Sequence, residues 1–362
     1  MKKFLFLLFI GLIPNFLFLL ALYIYDPLQF YHKPFFRDEN IIDTNMRYQA
    51  AGIINNWTFD SVILGTSMLQ NTSNKEASEQ LSGKWVNLSI AGGSLYEREI
   101  LLSYLLKTKN IQQIVLSLEP FIFHQKTTIQ HYVNYQYLYD NNRLNDFRLY
   151  LNEIYLLCML HLSNACITKT NSAYPIAWFN DFLFNQTFGG FDKWIQKADN
   201  RSMQAILKKI ILLSSEDSQN DQNTLYQNLS ANLISIIHDH PKTMFYILFS
   251  PFSTLYYKLN NSEKNWSILK NGLKFILHKN LPNLRLYGFD NEDFTNNINR
   301  YKDLEHYDEK VNSFMLDAIK NDTHRITLEN IDEYFEEMQK KVETYDIESL
   351  RKQIIESGVL NK

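Results

Sequence analysis

Two cysteines in 362 residues, Cys158 and Cys166, leave little room for a covalent framework. Without a second Cys or His cluster they do not form a zinc site. Eight residues along one continuous helix would hold them too far apart to bridge, so a disulfide requires a turn near Ser163-Asn164, and both states stay open. Charge of one sign is equally scarce. Lys and Arg number 36 against 39 Asp and Glu, a net charge of −3, with no long basic run. That excludes the electrostatic footprint of a nucleic-acid binder. There is no internal repeat and no long low-complexity segment. His238 and His240 precede Pro241 and are better read as a cationic helix end than as metal ligands. No metal or cofactor is expected.

Long apolar runs are also rare, and the one present is at the start. Phe4 to Tyr25 is apolar apart from Pro14 and Asn15. About 20 apolar residues span a bilayer, so this segment is long enough to cross. Lys2 and Lys3 ahead of it favour a cytoplasmic N-terminus and an exported remainder. No small-x-small cleavage site precedes Asp26, so an uncleaved anchor is expected rather than a signal peptide. The expected location is the inner (cytoplasmic) membrane, single-pass, with the main domain periplasmic.

Hydrophobic residues make up 45% of the chain, ample for one large core. The runs at 61, 85 and 111 alternate with helical segments, a βαβαβ start that favours a parallel sheet with right-handed crossovers. Ser73 with Glu76 is a capping box opening a helix to about Leu81, and a second helix covers Leu95 to Thr108. Strand patterns resume at 244 and 284. The expected division is an anchor at 1–25, a connector at 26–58, an α/β domain at 59–322 with a helical insertion at 124–235, and a C-terminal helical arm at 323–362. In the insertion, Tyr132, Tyr135, Tyr137 and Tyr139 either pack it onto the sheet or stack on sugar rings. Asn330 with Glu333 suggests another capping box, followed by Ile331, Tyr334, Phe335, Met338, Val342 and Tyr345 on one helical face.

Two short segments far apart carry the chemistry. Val62-Ile63-Leu64-Gly65-Thr66-Ser67 is a strand delivering a serine at its carboxyl edge, and Asp303-Leu304-Glu305-His306 brings an acid and an imidazole together. A serine hydroxyl needs an imidazole to take its proton, and a carboxylate to fix the imidazole tautomer. Each fragment alone is common; together and in this order they describe a nucleophile, its base and an orienting acid. Asp290 rivals Asp303 but has no histidine at short range.

These segments resemble the SGNH/GDSL hydrolase superfamily over roughly residues 59–320. The resemblance implies a flavodoxin-like three-layer α/β sandwich, with Ser67 as nucleophile, His306 as base and Asp303 as its orienter. Trp85 to Gly93 is similar to the family's second block, in which a backbone amide, here of Gly92 or Gly93, helps hold the oxyanion. Two departures stand out. Thr66 occupies the usual aspartate position, and no Gly-x-Asn-Asp block supplies an asparagine donor, since the strand Ile114 to Leu118 runs into Glu119-Pro120. Asn71 and Asn87 are candidate substitutes, each with a turn or cap role as the alternative. A missing oxyanion donor commonly costs about 2.7 to 4 kcal/mol of transition-state stabilisation. The departures are similar to those of membrane-anchored members that assist O-acylation of alginate or D-alanylation of teichoic acid. The resemblance thus implies an esterase or O-acyltransferase acting on a surface glycan. The alternative is a non-catalytic accessory or glycan-binding protein assisting a membrane-bound O-acyltransferase.

Overall fold

The computed structural model describes residues 2–37, 39, 41–43, 45–126, 129, 133–140, 142–160, 187–215 and 217–361, with side chains from Gly11 onward. Its centre is a six-stranded sheet in the order β2-β1-β3-β4-β5-β6. The strands are β1 (Ser61–Leu64), β2 (Trp85–Asn87), β3 (Gln113–Leu118), β4 (Met244–Phe249), β5 (Leu284–Gly288) and β6 (Arg325–Ile326). The first five are parallel, and only β6 runs antiparallel, against β5. Five strands stand where the apolar runs place them. The two-residue β6 is too short to show a period in sequence.

The order of the first three strands builds the layers. The chain steps outward from β1 to β2 and then returns across β1 to β3. Right-handed crossovers therefore put the connecting helices, α3 (Asn74–Leu81) and α4 (Leu95–Thr108), on opposite faces. Around α3 packs the helix Glu309–Asn321, while α4 packs against α2 (Met46–Asn56). The core lies on both sides of the sheet, with Val62, Ile114, Val115, Phe245 and Ile247 fully buried. The strand order reverses between β1 and β3, the kind of switch point where ligands bind at carboxyl ends in open α/β sheets.

The helix starts follow local chemistry. Ser73 Oγ accepts the Glu76 N–H at 3.1 Å, and Ser94 with Glu97 forms a complete capping box at α4. The box expected at Asn330 is corrected: its carboxamide accepts the Thr327 N–H and donates to the Arg325 carbonyl, tying down β6 instead of capping. The helix Ile331–Thr344 still buries Ile331, Tyr334, Phe335, Met338 and Val342 against the domain. The insertion's tyrosines settle as packing, because Tyr135 and Tyr139 are buried and their hydroxyls donate to Glu97 and the Arg47 carbonyl. Tyr137 lies under the Arg148 guanidinium, and Tyr132 lies outside the described residues. His240 closes a helix that ends at Asp239, its ring bonded to the Ile236 carbonyl.

The connector is pinned at its start. The buried Asp26 carboxylate accepts the backbone N–H groups of Phe30, Tyr31 and His32 and the Tyr150 hydroxyl. Cys158 is buried and disulfide-bonded; Cys166 lies outside the described residues. The N-terminal run forms one helix, α1 (Lys2–Tyr25). Among the described residues no helix is long and apolar enough to cross a membrane, and the side chains of α1 before Gly11 lie outside them.

Candidate active site

β1 ends at Leu64, and Gly65 follows at a point where the backbone touches its neighbours. A Cβ there would sit 2.3 Å from Ser117 Oγ, so only glycine lets the chain pass this close to β3. Ser89 Oγ and Ser117 Oγ accept the Gly65 and Thr66 N–H groups at 3.0 and 3.3 Å. The turn that follows carries Ser67 past the carboxyl edge of the sheet.

His306 arrives on a tight loop from the other side. Lys302 N–H donates to the His306 carbonyl at 2.8 Å, and Tyr301 bridges to Tyr307, which closes the loop on itself. Asp303 Oδ1 accepts the backbone N–H of both Glu305 and His306 at 2.9 Å. Ser253, after β4, donates through both its backbone N–H and its hydroxyl to the Leu304 carbonyl. The next helix then clips the two regions together. Asn312 Nδ2 donates to the Met68 carbonyl and to Thr72 Oγ1, both at 2.9 Å, and Ser313 Oγ donates to Glu76 at 2.8 Å.

Residues 239 apart in sequence therefore meet: Ser67 Oγ lies 2.8 Å from His306 Nε2. On the other edge of the ring, Nδ1 lies 2.9 Å from Asp303 Oδ2 and 3.0 Å from Oδ1. Burial pushes the Asp303 carboxyl up, but the imidazole beside it and the N–H groups of His306 and Glu305 together hold it down at about 2. It is thus a carboxylate across the physiological range. An imidazole so held, with Nδ1 on the carboxylate and Nε2 on a hydroxyl, can take that hydroxyl's proton. Asp290 sits apart, with its carboxyl bonded to Tyr257, Tyr334 and the Phe252 N–H.

Of the residues expected to line an oxyanion hole, two are otherwise committed. Asn87 Nδ2 donates to the carbonyls of Leu69 and Thr72, so neither amide hydrogen remains, and that expectation is corrected. Gly93 N–H donates to the Ile90 carbonyl, closing a turn. Gly92 occupies the third position of that turn at φ +61°, where glycine carries no Cβ penalty. Backbone pairing of Ile90 with Gly65 sets this turn just beyond the level of Thr66. Among the described residues no hydrogen bond takes the N–H of Gly92 or of Ser67, leaving two backbone donors at this edge. Asn71, in the turn after Ser67, is buried, and among the described residues its carboxamide oxygen has no hydrogen-bond partner.

One cluster escaped the sequence reading. Glu119 is fully buried at the end of β3 and accepts from Thr66 Oγ1 at 2.7 Å, from Ser117 and from Arg98 at 3.0 Å. Arg98 is itself 1% exposed and also donates to the Ser117 carbonyl. Thr66 thus belongs to a buried ionic network behind the Ser67 turn. The available signal was an arginine on an apolar helix face and a glutamate closing an apolar strand.

Fold and site together define an α/β protein with a hydrogen-bonded Ser-His-Asp set at the switch point of a largely parallel sheet. No protein-family model matches the chain, and no curated protein matches it in sequence.

Proposed function

We propose that this is an extracytoplasmic serine esterase or O-acyltransferase of SGNH/GDSL type, tethered by α1 and acting on a cell-surface glycan. The observation that carries the reading is the unbroken chain from Ser67 Oγ through the His306 ring to Asp303. Ser67 attacks an acyl carbonyl while His306 Nε2 takes its proton and passes it to the leaving oxygen. Asp303 holds the ring and steadies the imidazolium. The backbone N–H groups of Ser67 and Gly92 are the donors for the oxyanion. Water or a sugar hydroxyl then releases the acyl-serine.

The helix α1 supports the tether, because Leu12, Phe16, Leu17 and Leu19 stand exposed along it, a surface suited to lipid rather than water. An exported, anchored site motivates a glycan substrate and a membrane-bound O-acyltransferase as partner. One observation favours a second reading, a non-catalytic accessory protein: Asn87 and Gly93, two of the four residues expected to hold the oxyanion, are committed elsewhere. Surface-glycan acylation in a deletion strain separates the two. Ser67→Ala should fail to restore it while reaching the membrane at parent levels; full restoration would leave the accessory reading standing.

A further inference from the structure

A cavity of about 540 Å³ lies at the carboxyl ends of β3 and β4 and reaches Leu304 and Glu305 on the loop that carries His306. That falls within the roughly 300–1,000 Å³ of small-ligand sites. Phe121 and His124 come to it from the segment after β3, Tyr256 from the segment after β4, and Lys209 and Asp217 from the insertion. Glu305, the residue immediately before His306, also lines it.

The lining decides the kind of occupant. Lys126 and Lys209 stand against Asp217 and a Glu305 that is only partly ionised near neutral pH, so the charges largely offset, and amide side chains fill much of the rest. An acyl chain would meet polar walls and is poorly served. Phe121 and Tyr256 add aromatic surface, and Tyr with its hydroxyl suits a ring that is flat on one side and polar at its rim. Burial, with Asp303 nearby, pushes the Glu305 carboxyl up to about 7, so near neutral pH it offers both a donor and an acceptor. Burial likewise pushes His124 down to about 4, leaving a neutral ring whose Nδ1 is buried with no hydrogen-bond partner among the described residues. Neutral, two-way hydrogen-bonding groups beside aromatic surface match hydroxyls on an uncharged ring.

We propose that this cavity is the acceptor subsite, holding an uncharged sugar unit whose hydroxyl receives the acyl group from Ser67. It rests on the acyl-transfer reading above. The acceptor oxygen bonds to the acyl carbon, its proton passes to His306 Nε2, and that proton moves to Ser67 Oγ as the serine ester bond breaks.

The test uses the full chain in detergent micelles, carrying Ser67→Ala, on a printed array of neutral and acidic oligosaccharides, with titration calorimetry on the best binder. Neutral oligosaccharides should bind. Tyr256→Ala and Lys209→Ala should each weaken that binding at least tenfold, and Tyr256→Phe should restore most of it. Preference for acidic oligosaccharides, no neutral binder, or equal binding in both alanine variants would overturn the subsite. Labelling of the Ser67 parent by a fluorophosphonate separates this inference from its premise. Labelling without sugar binding sinks the subsite alone, whereas sugar binding without labelling sinks the acyl-transfer reading and the acceptor role with it.

Discussion

The two sides of Ser67 are built differently. On the base side, side chains do the holding: Asp303 fixes His306, Asn312 ties the following helix to the serine turn, and Ser313 ties it to α3. On the oxyanion side the side-chain candidate Asn87 is spent on turn carbonyls, and the backbone donors of Ser67 and Gly92 stay open. The contrast teaches that one edge of a sheet can orient groups by side chains on one side and by backbone on the other. It also makes the two sides separable by mutation.

The largest effects are expected on the base side. Ser67→Ala and His306→Ala should each lower acyl turnover by about 10⁶-fold if the set acts as a unit, and Asp303→Asn by about 10⁴-fold, because the ring then adopts the wrong tautomer. Steady-state hydrolysis of an activated acetyl ester measures all three. Unequal losses for Ser67 and His306 would break the claim that they act together.

A smaller loss is expected behind the turn, in stability. Arg98→Met leaves Glu119 buried and unpaired, which should cost about 3–5 kcal/mol in chemical unfolding. Arg98→Met with Glu119→Gln should recover part of it. An Arg98→Met protein as stable as the parent would mean the ionic network does not hold the Thr66 turn.

The smallest effect concerns the acid that the relay does not use. Burial pushes the Asp290 carboxyl up to about 7, above its value in an unfolded chain, against the opposing bonds from Tyr257 and Tyr334. Between those two values the folded state binds more protons, so this group favours folding at low pH and loses that contribution as pH rises through about 7. Relative to Asp290→Asn, the parent should therefore lose up to about 4 kcal/mol of stability between pH 4 and pH 8. Parallel stability-against-pH curves for the two proteins would contradict it. Asp303, held down at about 2, has the opposite sign, its contribution disappearing only as pH falls through that value.

What was legible in the sequence tracks how local the cause is. The Asp303–His306 pair is a three-residue spacing on one loop, and the strands at 61, 85, 111, 244 and 284 are continuous apolar runs, so both could be read directly. The helix Leu95–Thr108 kept its bounds because Ser94 and Glu97 cap it within four residues. The oxyanion donors were not legible in the same way. Whether Asn87 or Gly93 has a hydrogen to give depends on carbonyls brought near by folding, at Leu69, Thr72 and Ile90. The Asn330 box failed for a similar reason, since the nearby β6 strand claims its side chain. Thr66 looked like a defect in a motif and is instead a ligand of Glu119, 53 residues away.

The central claim is that His306 activates Ser67. The direct measurement is the rate at which a fluorophosphonate modifies the full-length chain, with the modified residue mapped by mass spectrometry, in the parent and in His306→Ala. One modified residue, Ser67, is expected, with a rate at least a thousandfold slower without the imidazole. Modification elsewhere, or of Ser67 at the same rate in both proteins, would contradict it.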